Sequence, residues 1–404
     1  MRISFHQFHQ NGINAITDQQ SALSHTQLQL ARQKRILSPS EDPVASTLIE
    51  AYKIDIAAND RYKQNTDSVM SSNELEDTLI DQVTNGMQRV RELFIAAGNG
   101  AYSIADRVAL ANEASQRLDE IIGVANTQNA QGEYLFSGFK TDVTPFVRNA
   151  AGVVQYFGDQ GQRTLNTSSG VALAISDSGF DLYENIPSGN GDFTVAAAPA
   201  NTGGGVMSPG TVSNRAAYVR DTYTFTFSLN VLGQLQFSVT GATSGPVIVN
   251  QLFVEDTAIT FNGITTQIDN VPVVGDTFTI APSSAQNVFT TIQNGINAMK
   301  LPNITPAEKA QMRIALDQAL ESLDQAALKI DTIRSQIGTR LNVAQTELES
   351  NIAVTTQMKT SLSGIEDLDN VDAITRLKSQ ETALDAAQQS YAQVQGLTLF
   401  RYLR

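Results

Sequence analysis

The sequence predicts a mainly α fold with an inserted antiparallel β domain, in which long antiparallel coiled-coil helices from both ends of the chain form one rod. Three observations predict it. From Leu316, apolar residues recur at alternating spacings of four and three through Leu320, Leu323, Ala327, Ile330, Ile337, Leu341, Ala344 and Leu348 to Met358, Leu362 and Ile365. Arg334, Asn351 and Thr355 hold the same register. That period lines one face of a long helix and calls for partner helices. A second long helical stretch lies near the opposite end. Between them, alternation of apolar and polar residues signals strands.

Each element has its own warrant. Residues 1 to about 36 are Gln-rich and amphipathic. Ile13, Ile16, Leu23 and Leu30 share a 3–4 register whose other positions are Gln20 and Gln27. So thin a stripe leaves the helix marginal alone. The run Leu37-Ser38-Pro39-Ser40-Glu41-Asp42-Pro43 breaks it. Asp42 then caps a new helix and Pro43 takes its first position. No Gly or Pro follows from Val44 to Asn85, and the pattern continues to about Ala97, a span of about 80 Å. Gly98-Asn99-Gly100 ends it. Ser103 and Asp106 open another helix to about Asn129.

At Gly132 the pattern changes. Gly132 to Lys140, with Tyr134, Phe136 and Phe139, reads as strand and turn, and 153–157 and 171–175 read as further strands. Together they predict a small hairpin region with the three aromatics in its core. Residues 187–217, with Pro187, Gly189, Gly191, Gly203-Gly204-Gly205, Pro209 and Gly210, read as loop or linker. Alternation then runs through Tyr223, Phe225, Phe227 and Leu229, through Leu235, Phe237 and Val239, and through Ile259, Phe261, Phe278 and Ile280. Helix resumes near Ser283 and stops near Leu301-Pro302. Thr305-Pro306-Ala307-Glu308 is a capped start for the long striped helix. Ser363-Gly364 interrupts it. A last helix carries Ala373, Leu377, Gln380, Leu384, Ala387, Tyr391 and Val394, before an aromatic and apolar end that includes Phe400.

The domains expected are 1–40 with 365–404 as a terminal coiled coil, 41–185 with 285–364 as a helical shaft with its hairpin region, and 186–284 as the inserted outer β domain. The first and last forty residues are expected to order only against partners.

Composition narrows the function. A net charge of −14 over 404 residues argues against nucleic acid. The absence of cysteine removes disulfides, thiolate metal sites and a Cys nucleophile. No apolar run predicts a membrane span, and Met1 to Phe8 does not lead into the apolar core of a cleaved signal. The three histidines, His6, His9 and His25, all lie in the first segment. His6 and His9 stand one helical turn apart, without a neighbouring carboxylate to complete a metal site. Asp177-Ser178-Gly179 lacks the remaining ligands of a calcium loop, and Gly203-Gly204-Gly205 lacks the Lys of a phosphate loop. Glu74, Glu76 and Asp77 read as a solvated face. No catalytic set, metal or cofactor is expected.

Five motifs carry a resemblance. They are Met1-Arg2-Ile3-Ser4, the break from Lys34 to Ala45, the segment Gly132 to Thr141, Pro145-Phe146 and the apolar C-terminal end. Together they resemble the flagellin superfamily, and within it the hook-associated proteins, over roughly residues 1–180 and 285–404. Members often carry Gly before the Lys-Arg of the break. This chain has Gln33, a departure that slightly weakens the case for a sharp turn there.

The resemblance implies a structural adaptor that forms a tubular layer with copies of itself. A hook-side hook-associated protein would lie on one side and flagellin on the other. Export would use the flagellar apparatus without a cleaved signal, with a chaperone on the C-terminal helix. Ile13, Ile16, Leu23, Leu30, Leu377, Leu384, Tyr391, Val394 and Phe400 would then serve subunit interaction. Pro39, Asp42 and Pro43 would set the break, and Tyr134, Phe136 and Phe139 the hairpin. Two alternatives stay open: a flagellin filament subunit, and a surface adhesin that uses the β domain.

Overall fold

A computed structural model of the chain describes residues 5–150 and 152–396. Two compact units emerge, 1–64 with 347–404 and 65–346. Six α-helices are described: α1 (Phe5–Arg32), α2 (Pro43–Ala97), α3 (Ile104–Ala125), α4 (Val288–Met299), α5 (Pro306–Glu366) and α6 (Asn370–Gly396).

Their ends follow local chemistry. Asp42 Oδ1 accepts from the Ala45 amide at the start of α2, at 3.0 Å. Ser103 and Asp106 form a reciprocal capping box on α3. Thr305 and Glu308 exchange the same pair of bonds at α5, with Glu308 N to Thr305 Oγ1 at 3.2 Å and Thr305 N to Glu308 Oε2 at 2.9 Å. Asn287 caps α4 through Phe289 N and Thr290 N. α3 stops at Ala125, short of Asn129, because Asn126 turns to bond both the amide and the carbonyl of Phe146. Ser363-Gly364 does not interrupt α5, which runs to Glu366.

In the second unit, the heptad positions of α5 are buried at Leu316, Leu323, Ile330, Ile337 and Ala344, each 2 % exposed or less. Leu316, Leu323, Ile330 and Ile337 share a core with Ile80, Val83, Val90 and Phe94 of α2, with Ala114, Leu118 and Ile121 of α3 and with Phe289, Ile292 and Ile296 of α4. Phe94 lies against Gly295, where the missing side chain makes room for its ring.

The hairpin region differs from the sequence reading. Residues 132–140 form no strand. Gly132 and Gly138 take φ +81° and +74°, and apart from one antiparallel bridge between Tyr134 and Gln128 the segment is a chain of turns. The strands are β1 (Phe146–Arg148) with β2 (Val154–Tyr156), and β3 (Thr164–Asn166) with β4 (Ala172–Ala174). Phe136 is buried edge-on against Tyr183, and Tyr183 and Phe289 both pack on Phe146. Tyr134 is half-buried and accepts from Thr144 Oγ1. Phe139 is 62 % exposed and so is not core; its ring lies over Gly161.

The segment 187–217 is not a linker. It supplies β5 (Ile186–Pro187), β6 (Phe193–Ala197), β7 (Val206–Met207) and β8 (Thr211–Val212). They are followed by β9 (Tyr223–Leu229), β10 (Leu235–Gly241), β11 (Gly245–Leu252), β12 (Ala258–Phe261), β13 (Ile264–Asp269), β14 (Thr277–Pro282) and β15 (Ala285–Gln286). One antiparallel sheet has the order β11-β10-β9-β14-β6; the other is β12-β13-β7, with β8 also on β13. β5 pairs with β15, so the insertion leaves and re-enters at one point. Tyr223, Phe225, Phe227, Phe237, Val239, Phe278 and Ile280 fill the core between the sheets, and Ile314 of α5 inserts into it.

Candidate functional site

In the first unit, α1 and α6 pack against each other in antiparallel sense. At one end, Tyr391 stacks on His9 with ring centroids 5.2 Å apart, and its hydroxyl lies 2.7 Å from His9 Nδ1. Gly12 permits this approach, since a Cβ there would stand 2.8 Å from the Tyr391 ring. His9 therefore has an aromatic partner.

At the other end the two helix breaks meet. Arg35 N donates to Glu366 O at 2.8 Å, and Leu368 N donates to Gln33 O at 3.2 Å. Lys34 and Asp367 form an antiparallel bridge. Side chains reinforce it. Gln29 Nε2 donates to Arg35 O at 2.6 Å, and Arg35 Nε donates to Ile365 O at 3.1 Å. Lys34 and Lys53 both reach Glu366 Oε1, and the Lys34 hydrogen bond holds that carboxyl below its ordinary range. Glu41 accepts from Leu37 N at 3.0 Å and sits 3.3 Å from His25 Nε2. Its carboxyl is likewise held low, first by the Leu37 amide.

A sharp turn is present although Gln33, not glycine, holds the position. Gln33 takes φ +53°, and Lys34 N closes onto Gln29 O at 3.2 Å, the reverse turn that ends many helices. A side chain in the left-handed region costs about 1–2 kcal/mol, part of which glycine returns as unfolded-chain entropy. Q33G is therefore expected to stabilise the break by about 0.5–1 kcal/mol. Amide exchange at Arg35 and Leu368 should slow by about two- to fivefold; unchanged or faster exchange would contradict the strain.

The predicted site residues fall as follows. Ile16, Leu23 and Leu30 of α1 and Leu377, Leu384 and Tyr391 of α6 are half-buried. Ile13 is 40 % exposed. Phe400 and the side chain of Val394 lie outside the described residues, as does the side chain of His6. Pro39 and Pro43 are exposed and Asp42 is half-buried.

The seam register differs from the one read in the sequence. Gly12, Ile16, Gln19, Leu23, Thr26 and Leu30 face inward, while Ile13, Gln20 and Gln27 face out. Among the described side chains, Thr26 and Gln29 are buried in α1 and Ala373 in α6. Sequence reasoning missed Thr26 and Gln29 because polar residues do not mark a seam. The small Gly12, seven residues before Gln19 and fourteen before Thr26, was the available signal.

The first unit also leaves large apolar side chains uncovered. Ile13 and Leu28 of α1, Val44, Leu48 and Ile54 of α2, Ile352 and Val354 of α5, and Val371 and Ile374 of α6 are each at least 40 % exposed. Where such side chains form a contiguous patch, they mark an interaction surface. The chemistry available here is packing and backbone pairing.

The bacterial flagellin N-terminal helical region matches residues 3–141 and the C-terminal helical region matches residues 320–403. The flagellar hook-associated protein 3 of Salmonella typhimurium is 23 % identical over the full length of both chains. The crystal structure of hook-associated protein 3 from Legionella pneumophila is 34 % identical, with a TM-score of 0.76, covering 78 % of this chain and 98 % of that one. The FlgL of Xanthomonas campestris is 26 % identical with a TM-score of 0.72, covering 77 % and 99 %. With both terminal helical regions matched and the whole length shared, the chain belongs to the flagellar hook-associated protein 3 family within the flagellin superfamily.

Proposed function

We propose that the chain is a structural adaptor of the bacterial flagellum, joining the hook to the filament. Copies of it form a short tubular layer. One rim meets a hook-side hook-associated protein and the other meets flagellin. Residues 1–40 with 365–404 build the tube wall, 41–185 with 285–364 form the shaft, and 186–284 face outward. The protein acts by packing rather than by catalysis. It lies at the hook–filament junction outside the cell, exported without cleavage and escorted by a chaperone on the C-terminal helix.

One observation carries the reading. The first unit has a thin, partly polar seam and a surface rich in uncovered Ile, Leu and Val. Isolated helices with so little burial are marginal in water, and neighbouring subunits would cover what α1 and α6 leave open. Each subunit touches several neighbours, so modest contacts sum to a durable array. The names of the relatives favour the junction over a bulk filament subunit or an adhesin.

Deleting the gene tests the proposal. Electron microscopy of such cells should show hooks without filaments, with flagellin shed into the medium. Normal filaments on the mutant would overturn it.

A further inference from the structure

Glu76 sits on α2 within the second unit and is fully buried. Its Oε1 accepts from the backbone amide of Asp177 at 2.9 Å. Its Oε2 is buried without a hydrogen-bond partner among the described residues, as is the hydroxyl of Tyr183. Asp177 is 7 % exposed. Its carboxylate accepts from Arg340 of α5 at 3.1 and 3.3 Å and from Gln162 Nε2 at 2.5 Å. Arg340 also donates to Asn73 Oδ1 at 2.6 Å, and Asn73 Nδ2 donates to Ala174 O at 3.0 Å. One guanidinium therefore faces two buried carboxyls, and its bonds go to only one of them.

The surrounding charges offer Glu76 little else. Asp77, its neighbour on α2, is taken by Arg334 at 3.0 Å, and Asp81 shares that arginine at 3.2 Å. From the segment after β4, the titratable groups that bear on it are Asp177 and Tyr183. Among the described residues no cation lies within ion-pair distance of Glu76. A buried carboxylate with one bare oxygen is far costlier than the neutral acid.

We propose that Glu76 carries a proton at neutral pH, and that its neutral state lets residues 175–184, with the buried Tyr183, stay latched onto α2 through the Asp177 amide. Ionising Glu76 places a second negative charge beside Asp177 in a site with one arginine, which loosens the segment. Desolvation, then the charge of Asp177, raises the Glu76 carboxyl to about 8, which sets the interval in which release occurs. The sign follows. The folded chain holds a proton that the unfolded chain gives up at ordinary carboxylate pH. The latch is thus complete below that range and is lost as pH rises through about 8.

The test uses the full-length chain. Infrared difference spectra between wild type and E76Q, stepped from about pH 6 to about pH 10, should show a protonated carboxyl band in wild type that disappears with a midpoint near 8. Over the same interval, amide exchange at 176–184 in wild type, corrected for its intrinsic pH dependence, should speed up by at least about tenfold, while E76Q stays protected. Absence of the band at neutral pH overturns the proposal. Wild-type exchange that is flat across the interval also overturns it, and needs no variant to fold.

Discussion

Alanine at Leu384 and Tyr391 together is expected to prevent assembly while leaving the melting of the monomer unchanged. The two side chains lie half-buried along α6, in a seam whose buried residues, among the described side chains, are Thr26, Gln29 and Ala373. So little apolar burial contributes almost nothing to the cooperative unfolding of the second unit, whose core holds Leu316, Leu323, Ile330, Ile337 and the cluster of Phe136, Phe146, Tyr183 and Phe289. In an assembled array the balance reverses. Each lost half-buried side chain removes roughly 1–2 kcal/mol of packing, repeated for every subunit. Tyr391 also brings its contacts with His9 and Gly12. Sedimentation of the purified double variant should show monomers under conditions that polymerise the wild type, with superimposable melting curves. An equal loss of monomer stability would make these residues ordinary core.

The second large effect is expected from R340A. Removing the guanidinium leaves Asp177 buried without its cation and Asn73 Oδ1 without its donor, close to Glu76. Breaking a buried pair by deleting one partner costs about 3–5 kcal/mol. Urea unfolding followed by circular dichroism should show that loss. Because Glu76 becomes still harder to ionise once the arginine is gone, the deficit should widen as pH rises. A loss below about 1 kcal/mol would mean that Asp177 finds solvent or another partner.

Much of this architecture is legible because long periodic segments report their own geometry. The α5 register read from Leu316 to Ile365 is inward-facing along its length, and buried outright at Leu316, Leu323, Ile330, Ile337, Ala344 and Asn351. The capped starts at Asp42, Ser103 and Thr305 are local hydrogen-bond chemistry, and they appear where the residues put them. Short strands with polar content were less visible. β13 alternates Ile264, Thr266 and Ile268 inward, and two threonines with a glutamine hide that pattern. The Asn262-Gly263 turn, with φ +41° and +77°, was its available signal, because both residues take the left-handed backbone that a two-residue hairpin needs. The strands in 187–217 pair only with residues more than fifty positions away, such as Met207 with Ile268, so local composition reads as loop.

The candidate site was half legible. The break at Pro39 to Pro43 and the pairing of the two terminal segments follow from prolines and heptads. What the break does was not visible. Its ladder joins Gln33–Arg35 to 366–368 through backbone atoms, which carry no sequence signature. Gln33 in a left-handed conformation runs against its own side chain, and tertiary pairing overrides that preference. Glu76, read as part of a solvated face with Glu74 and Asp77, proved buried while Glu74 stays exposed. One helical turn of acidic residues does not reveal which of them points inward.

The most direct test uses the absence of native cysteine. A chain carrying Cys at positions 12 and 391, oxidised after assembly, should form a disulfide within each subunit and run as a compact monomer under denaturing, non-reducing electrophoresis. That result places the two ends of one polypeptide side by side in the proposed wall. Free thiols in the assembled state, or bridges formed only between different subunits, would contradict it.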